Sequence, residues 1–407
     1  MKLRLSLSSR TRAFLLCLTF LTFSPLLCDG TLSKSNPKKT KKDSSSSSSH
    51  SSSLEIPSVF DRDLVKEKYK IQDHLTHHDS YCKPCAKKRV FTSAAALAYV
   101  TPWNNRGYDV AKELARKFTH VSPVWLQLKF VKNLHLEVTG THDVDADWIR
   151  TIKKKNKSLK VVPRLLLDGW SGRDYVRVFA SEDAMQSVAN TVVRFLETSE
   201  NDQLFDGVVF ETSWLSPDQK EDLLHLLIHV GDRVRGAGKE FLLVVPPASP
   251  EGVASTFGAE EFRVLRDSVD YFSLMTYDFP LRPGPNAPID WVRKCVEAII
   301  PNDEQEEDLA RRRQLLVGLN FYGYKYGQHG TDAILGSQLI EKLSGEEKYR
   351  VSWNKHAMEH KFSCKGEEIY FPSLYSINKR LEMLKELRTG VSIWEIGQGL
   401  TYFYDLF

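Results

Sequence analysis

A single acidic side chain on an otherwise apolar run is the first feature of this sequence that could do chemistry. The run is Phe205-Asp206-Gly207-Val208-Val209-Phe210-Glu211-Thr212-Ser213-Trp214. Strand alternation puts Val209, Glu211 and Ser213 on one face. A carboxylate facing an apolar helix layer would be costly, so this face is expected to line the interior of a barrel. Arg164 shares the parity of Leu166 and Asp168 in the preceding run and is expected to point inward too. It should form a buried pair with Glu211 that holds the carboxyl ionised, an expectation that fails if the side chains lie more than ~6 Å apart. Aromatic residues recur at the same ends of such runs: Trp103, Trp125, Trp170, Trp214 and Trp394, joined by Tyr277, Phe321 and Tyr322. Flat apolar faces with polar edges suit the CH and OH surfaces of sugar rings. The expected ligand-binding aromatics are therefore Trp103, Trp125, Trp170, Trp214, Tyr277, Tyr322 and Trp394; Glu211 is set beside them, and Asp278 and Gln398 are taken with them as polar handles.

The elements that must position this set are legible as short apolar, β-rich runs, each followed by helical periodicity. They are Ala95 to Thr101, Thr119 to Leu126, Leu159 to Leu167, Phe205 to Thr212, Phe241 to Pro246, Tyr271 to Tyr277, Gln314 to Asn320 and Gly390 to Trp394. Near-continuous apolar character indicates strands buried on both faces. Eight such units predict an α/β fold, a (β/α)8 TIM barrel, whose site lies at the C-terminal ends of its strands. Ser216-Pro217-Asp218 should open a helix running through Leu223, Leu224, Leu227 and Val230 to Gly236. The long gap between the seventh and eighth runs predicts a small α+β insertion at about residues 325–373, with strands at Tyr349 to Trp353 and Ile369 to Phe371, before a last helix, Ser376 to Leu387.

Outside the barrel, expected over residues 93–407, the chain divides by composition. Residues 1–30 carry basic residues, then an apolar run from Ala13 to Leu27 and a short polar end, the pattern of a secretory signal peptide. Residues 31–58 are Lys- and Ser-rich and expected to be disordered; residues 59–92 form a charged lead-in. Lys plus Arg number 56 against 52 Asp plus Glu, with much of the excess in the first 45 residues, so a nucleic-acid surface is not expected. No glycine-rich phosphate loop is present, no cofactor is expected, and scattered histidines imply no metal. Cys82, Cys85, Cys295 and Cys364 remain after the signal; spacing leaves their pairing open. Asn156-Lys157-Ser158 is a glycosylation sequon.

With these residues in view, the chain resembles the chitinases of glycoside hydrolase family 18. Its Asp206-Gly207 opening matches their fourth-strand signature, Asp-Gly-x-Asp-x-Asp-x-Glu. In that signature Val209 replaces the first inner Asp, Glu211 the second, and Ser213 the proton-donating Glu. Leu274-Met275-Thr276-Tyr277-Asp278 matches the sixth-strand motif, whose Tyr and Asp contact the N-acetyl group in active relatives, and Trp394 falls where relatives floor the central sugar subsite. Thr119-His120-Val121-Ser122-Pro123, and Gly284-Pro285-Asn286-Ala287-Pro288 with Trp291 beyond it, resemble the subgroup shared by spore-coat glycosidases and animal chitinase-domain proteins. The closing Gly397 to Phe407 does so too.

The resemblance implies substrate-assisted retaining hydrolysis that needs one acid. A serine hydroxyl cannot supply it, so the expectation is a catalytically inactive chitinase-like lectin for N-acetylglucosamine-containing oligosaccharides. By resemblance its ligands extend to bacterial glycans such as lipopolysaccharide. The alternatives are a weak glycosidase using Glu211, Asp278 or Asp168, and a protein-interaction or sorting module. The resemblance further implies a scavenger-receptor partner of the stabilin type, secretion, and traffic to late endosomes and lysosomes.

Overall fold

The computed structural model describes residues 55–131, 135–215, 217–249, 255–328 and 330–407. The signal peptide, nearly all of the Ser/Lys-rich segment and Ser216 lie outside them.

Eight parallel staves close on one another as expected. In chain order they are Ala96–Val100, His120–Pro123 continued by Leu126–Phe130, Lys160–Val161 continued by Arg164–Leu167, Gly207–Glu211, Glu240–Val245, Tyr271–Leu274, Leu315–Asn320 and Gly390–Trp394. Each pairs with the next in parallel, and the last pairs with the first, Ala96 opposite Val391 and Ala98 opposite Ile393. The third stave is interrupted at Val162 and Pro163, where proline has no N–H to donate. The ladder nevertheless continues, because Val209 N–H reaches the Pro163 carbonyl.

Alternation then sorts the side chains into two packed layers. Leu97, Tyr99, Val124, Val162, Val209, Leu242, Val244 and Leu316 fill the barrel interior, while Ala98, Val208, Phe210 and Leu243 belong to the layer between strands and helices. The inward parity of Val209 fixes that of Glu211, two residues nearer the mouth. Gly207 is required at the base of this strand, since a Cβ there would lie 2.2 Å from the Glu240 carbonyl oxygen. Its neighbour Asp206 caps the adjoining strand by accepting Val161 N–H at 2.7 Å and pairs with Lys153. The Asp-Gly opening is thus a structural joint beneath the site.

The helix expected after the fourth strand runs Lys220–Gly236 and packs beside helix Glu182–Leu196. Between the seventh and eighth staves stands the α+β insertion: Gly323–Gly327, Gly330–Ile334, Arg350–Asn354, Glu359–Cys364 and Glu367–Phe371 form one antiparallel sheet, with helix Gly336–Ser344. The final helix is Leu374–Glu386. Cys82 is bonded to Cys85, while Cys295 and Cys364 are free thiols. Asp405 fastens the lead-in to the barrel by accepting Val59 and Cys82 N–H groups. Among the described residues no helix is long and apolar enough to cross a membrane.

Candidate active site

Arg164 and Glu211 meet inside the barrel. Adjacent strands bring Arg164 opposite Val209 and Leu166 opposite Glu211, and the Arg164 Nε–H donates to Glu211 Oε2. Each side chain is 14% exposed, deep enough that losing either partner would strand the other with little solvent. Burial works to lower the Arg164 pKa, but the charge and hydrogen bond of Glu211 outweigh it and leave the guanidinium raised. Around the pair sit Tyr99, whose hydroxyl lies 2.8 Å from Ser273 Oγ, and Tyr277. Burial, then neighbouring phenol and carboxylate groups, raises Tyr277 well above 10, so its hydroxyl remains a donor at neutral pH. Trp394 completes this floor with its ring 5.2 Å from that of Tyr99. Ser213, two residues past Glu211 and beyond the end of the strand, is exposed, and the intervening Thr212 turns outward to the Tyr175 hydroxyl.

The rim over the sixth and seventh strands centres on Asp278. Its carboxylate accepts from the Tyr322 and Tyr324 hydroxyls and from Arg282 at 3.1 Å. Its backbone adopts φ 60°, a conformation aspartate tolerates better than bulky residues, and Asn286 Oδ1 holds its N–H at 2.7 Å. Arg282 also lies 3.8 Å over the Tyr324 ring. Burial, then the Asp278 charge, pushes the Tyr324 hydroxyl up to about 12. Tyr99, Arg282 and Tyr324 were not expected in the site. The spacing Tyr322, Tyr324, Tyr326 at the start of the insertion was the available signal, since alternate residues of a strand share a face. Tyr322 itself is buried and reaches the rim through its hydroxyl. Asp168 pairs with Lys129 at 2.7 Å, so Glu211, Asp278 and Asp168 are all engaged by cations.

The expected aromatic set divides on burial. Trp103 is 70% exposed at the mouth and available as a platform. Trp170 and Trp214 are half-buried, anchored by indole N–H bonds to the Leu128 and Val244 carbonyls. Gln398 is also half-buried, with Oε1 3.3 Å from Glu395 N. Trp125 must be corrected from platform to core. It is fully buried against Tyr108 and Trp148, because the strand end turns its ring toward the helix layer. Phe321 is corrected likewise, being enclosed by Phe403, Tyr404 and Phe407. The corrections make opposite predictions for two tryptophans. Trp125→Ala should cost about 3–5 kcal/mol of stability in denaturant unfolding through the cavity it leaves, with the oligosaccharide Kd unchanged. Trp103→Ala should weaken binding without moving the unfolding midpoint, and the reverse pattern would return Trp125 to the site.

Behind Trp394 lies a carboxyl that sequence reading passed over. Glu395 is fully buried and accepts from Asn104 Nδ2 and from Gly397 N–H at 2.9 Å, tying the eighth strand to the loop after the first. Burial raises its pKa from 4.5 to about 7, only partly opposed by the two hydrogen bonds. The unfolded chain therefore releases this proton earlier than the folded one, so stability should fall as pH climbs from 4.5 toward 7 and then level off. Glu395→Gln should remove that slope in thermal unfolding recorded from pH 5 to 8. Parallel curves for the two proteins would show that Glu395 is not its source. The sequon residue Asn156 donates Nδ2 to the Ala115 and Phe118 carbonyls, so the amide that would carry a glycan already holds two backbone contacts.

Residues 95–399 match the model of glycosyl hydrolases family 18. The cortical fragment-lytic enzyme of Bacillus subtilis (strain 168) is 24% identical over 47% of this chain and 47% of its own length. That of Bacillus cereus is 21% identical over 58% and 57%. The matched region therefore spans about half the length of these relatives. In fold, the chain is similar to a chitinase from Chromobacterium violaceum ATCC 12472, with TM-score 0.64 and 18% identity over 77% of this chain and 97% of that one. The spore cortex-lytic enzyme SleL of Bacillus megaterium QM B1551 gives 0.61 and 18% over 77% and 74%. A Cycas revoluta chitinase in complex with (GlcNAc)4 gives 0.63 and 14% over 77% and 98%. These findings overturn the expectation of a non-enzyme drawn from Ser213: the family matched is one of hydrolases, and the relatives are named as lytic enzymes.

Proposed function

This chain belongs to glycosyl hydrolases family 18, and from that premise we propose that it is a slow glycosidase that holds N-acetylglucosamine-containing oligosaccharides across the mouth of its barrel. The observation that carries the proposal is the Arg164 and Glu211 pair seated beside Tyr99 and Tyr277, below a rim with exposed indole surface. Trp394 would floor the bound sugar, with Trp103, Trp170 and Trp214 as further platforms. Glu211, in the place of the second inner Asp, would orient the acetamido group; Tyr277 and Asp278 would hold its surroundings.

The acetamido carbonyl oxygen then forms a bond to the anomeric carbon as the glycosidic bond breaks, and water later opens the cyclic intermediate with retention. The departing oxygen must take a proton. Ser213 cannot give one, and the nearby carboxylates are each paired with a cation. Solvent water is left as the donor, which costs about 10²- to 10⁴-fold in rate relative to a positioned acid. Tight recognition with slow turnover accounts for the aromatic platforms that remain at the mouth beside an absent acid, and it gives the chain a lectin-like residence on its ligand. The resemblance to animal chitinase-domain proteins extends this proposal to secretion, to delivery toward late endosomes or lysosomes, to a scavenger-receptor partner of the stabilin type, and to lipopolysaccharide as a further ligand.

The test is tryptophan fluorescence during titration with N-acetylglucosamine oligomers of increasing length, with product analysis on the same samples. Saturable quenching with slow, retained-configuration products is expected. Quenching with products forming no faster than in buffer would sink the glycosidase reading; no quenching at millimolar sugar would sink the sugar site itself.

A further inference from the structure

On the outer helix ring, three ligand-type side chains converge. Helix Lys220–Gly236 presents His225 and His229, four residues apart and so on one face. Helix Glu182–Leu196, packed alongside, begins with Glu182, set in place because Ser181 caps the helix by accepting Ala184 N–H. The two Nε2 atoms lie 3.1 Å apart, Glu182 Oε2 is 2.7 Å from His229 Nε2, and Oε1 is 3.5 Å from His225 Nε2. This corrects the expectation that the sequence holds no ligand-spaced histidines. The pair is visible at i and i+4, but its carboxylate partner comes from another helix.

We propose that Glu182, His225 and His229 form a binding site for a divalent transition metal, zinc in the first instance, that fastens these two helices together. Four-coordinate zinc with bonds of about 2.0–2.1 Å places neighbouring ligand atoms about 3.3 Å apart, which the observed separations bracket. Imidazole nitrogens facing each other at this distance share at most one proton between them. A cation between them would let both donate lone pairs, with the carboxylate supplying charge. Glu182 and His225 are exposed and His229 is half-buried, so an ion could enter and keep a water in its fourth position. Two imidazoles and one carboxylate favour zinc, copper or nickel over magnesium or calcium, which prefer all-oxygen sets. None of these residues takes part in the sugar site, so the proposal stands or falls independently of the glycosidase reading.

The experiment is equilibrium dialysis and thermal unfolding of the full untagged chain with ZnCl2, alongside His225→Gln/His229→Gln. One zinc per chain is expected at this site, with a rise in melting temperature reversed by EDTA, no response to MgCl2, and at least tenfold weaker uptake by the double variant. Cobalt(II) should give visible d–d absorption in the wild type that the double variant lacks. Because the substituted side chains lie on the outer surface, the variant's metal-free unfolding curve should match the wild type. Equal zinc uptake by both proteins, or none by either at ~0.1 mM, a concentration well above useful structural affinities, would overturn the site and leave an ordinary surface cluster of imidazole and carboxylate ion pairs.

Discussion

Ser213→Glu should raise kcat/KM on N-acetylglucosamine oligomers by about 10²- to 10⁴-fold, the range that a positioned general acid contributes. Ser213 is exposed two residues past the Glu211 pair, at the mouth end of the strand, so a longer side chain has room to reach over the floor. Two residues along a strand is about 6–7 Å, and the Arg164 guanidinium, already paired with Glu211, is not free to hold the introduced acid ionised. The half-buried Trp214 beside it acts in the same direction by limiting solvent. Activity should therefore gain an alkaline limb in its pH profile, reporting loss of the new proton, which the wild type lacks. Ser213→Gln, with similar bulk and no proton to give, should show no gain. If Ser213→Glu binds the oligomers with wild-type affinity and turns over no faster, the proton is not what limits this protein, and the proposed mechanism fails.

Glu211→Ala should damage both stability and turnover, and the two losses separate. Removing the carboxylate leaves the Arg164 guanidinium, 14% exposed, without its anion, and stranding one partner of a buried pair costs about 3–5 kcal/mol. Arg164→Met/Glu211→Leu should recover much of that loss in denaturant unfolding, since an apolar pair leaves no uncompensated charge. Turnover should not recover, because the group that orients the acetamido oxygen is gone. Glu211→Gln provides the cleaner kinetic comparison: the guanidinium keeps an oxygen acceptor, binding should change less than tenfold, and product formation should fall to the buffer rate. Undiminished turnover in this variant would remove Glu211 from the reaction.

The pair itself is legible in the sequence, and the reason is local. A strand repeats every two residues, so the interior parity of Val209 forces that of Glu211, and the same reasoning applied to Arg164 brings the two into one space. The aromatic set is legible only in part. A tryptophan at the end of a strand lies at the mouth, but the end position does not state whether its ring faces the opening or the helix layer. Trp394 turns to the floor beside Tyr99, while Trp125 turns outward onto Tyr108 and Trp148. Asp278 is identified by its motif, whereas Tyr324 and Arg282, which also bind its carboxylate, are not: the position of Tyr324 depends on how the insertion folds over the barrel, and that of Arg282 on the course of the loop after the sixth strand.

What the sequence alone determined, then, was whatever short-range periodicity governs: eight apolar runs, the helices between them, and an inward acidic residue on the fourth strand. The tertiary structure decided what depends on packing between elements distant in the chain. It sent Trp125 and Phe321 to the core, buried Glu395 behind Trp394, and carried Glu182 across to His225 and His229. Periodicity constrains a side chain's direction about its own backbone; which partner it meets depends on the offset and rotation of the neighbouring element, set by the close packing of the whole interior.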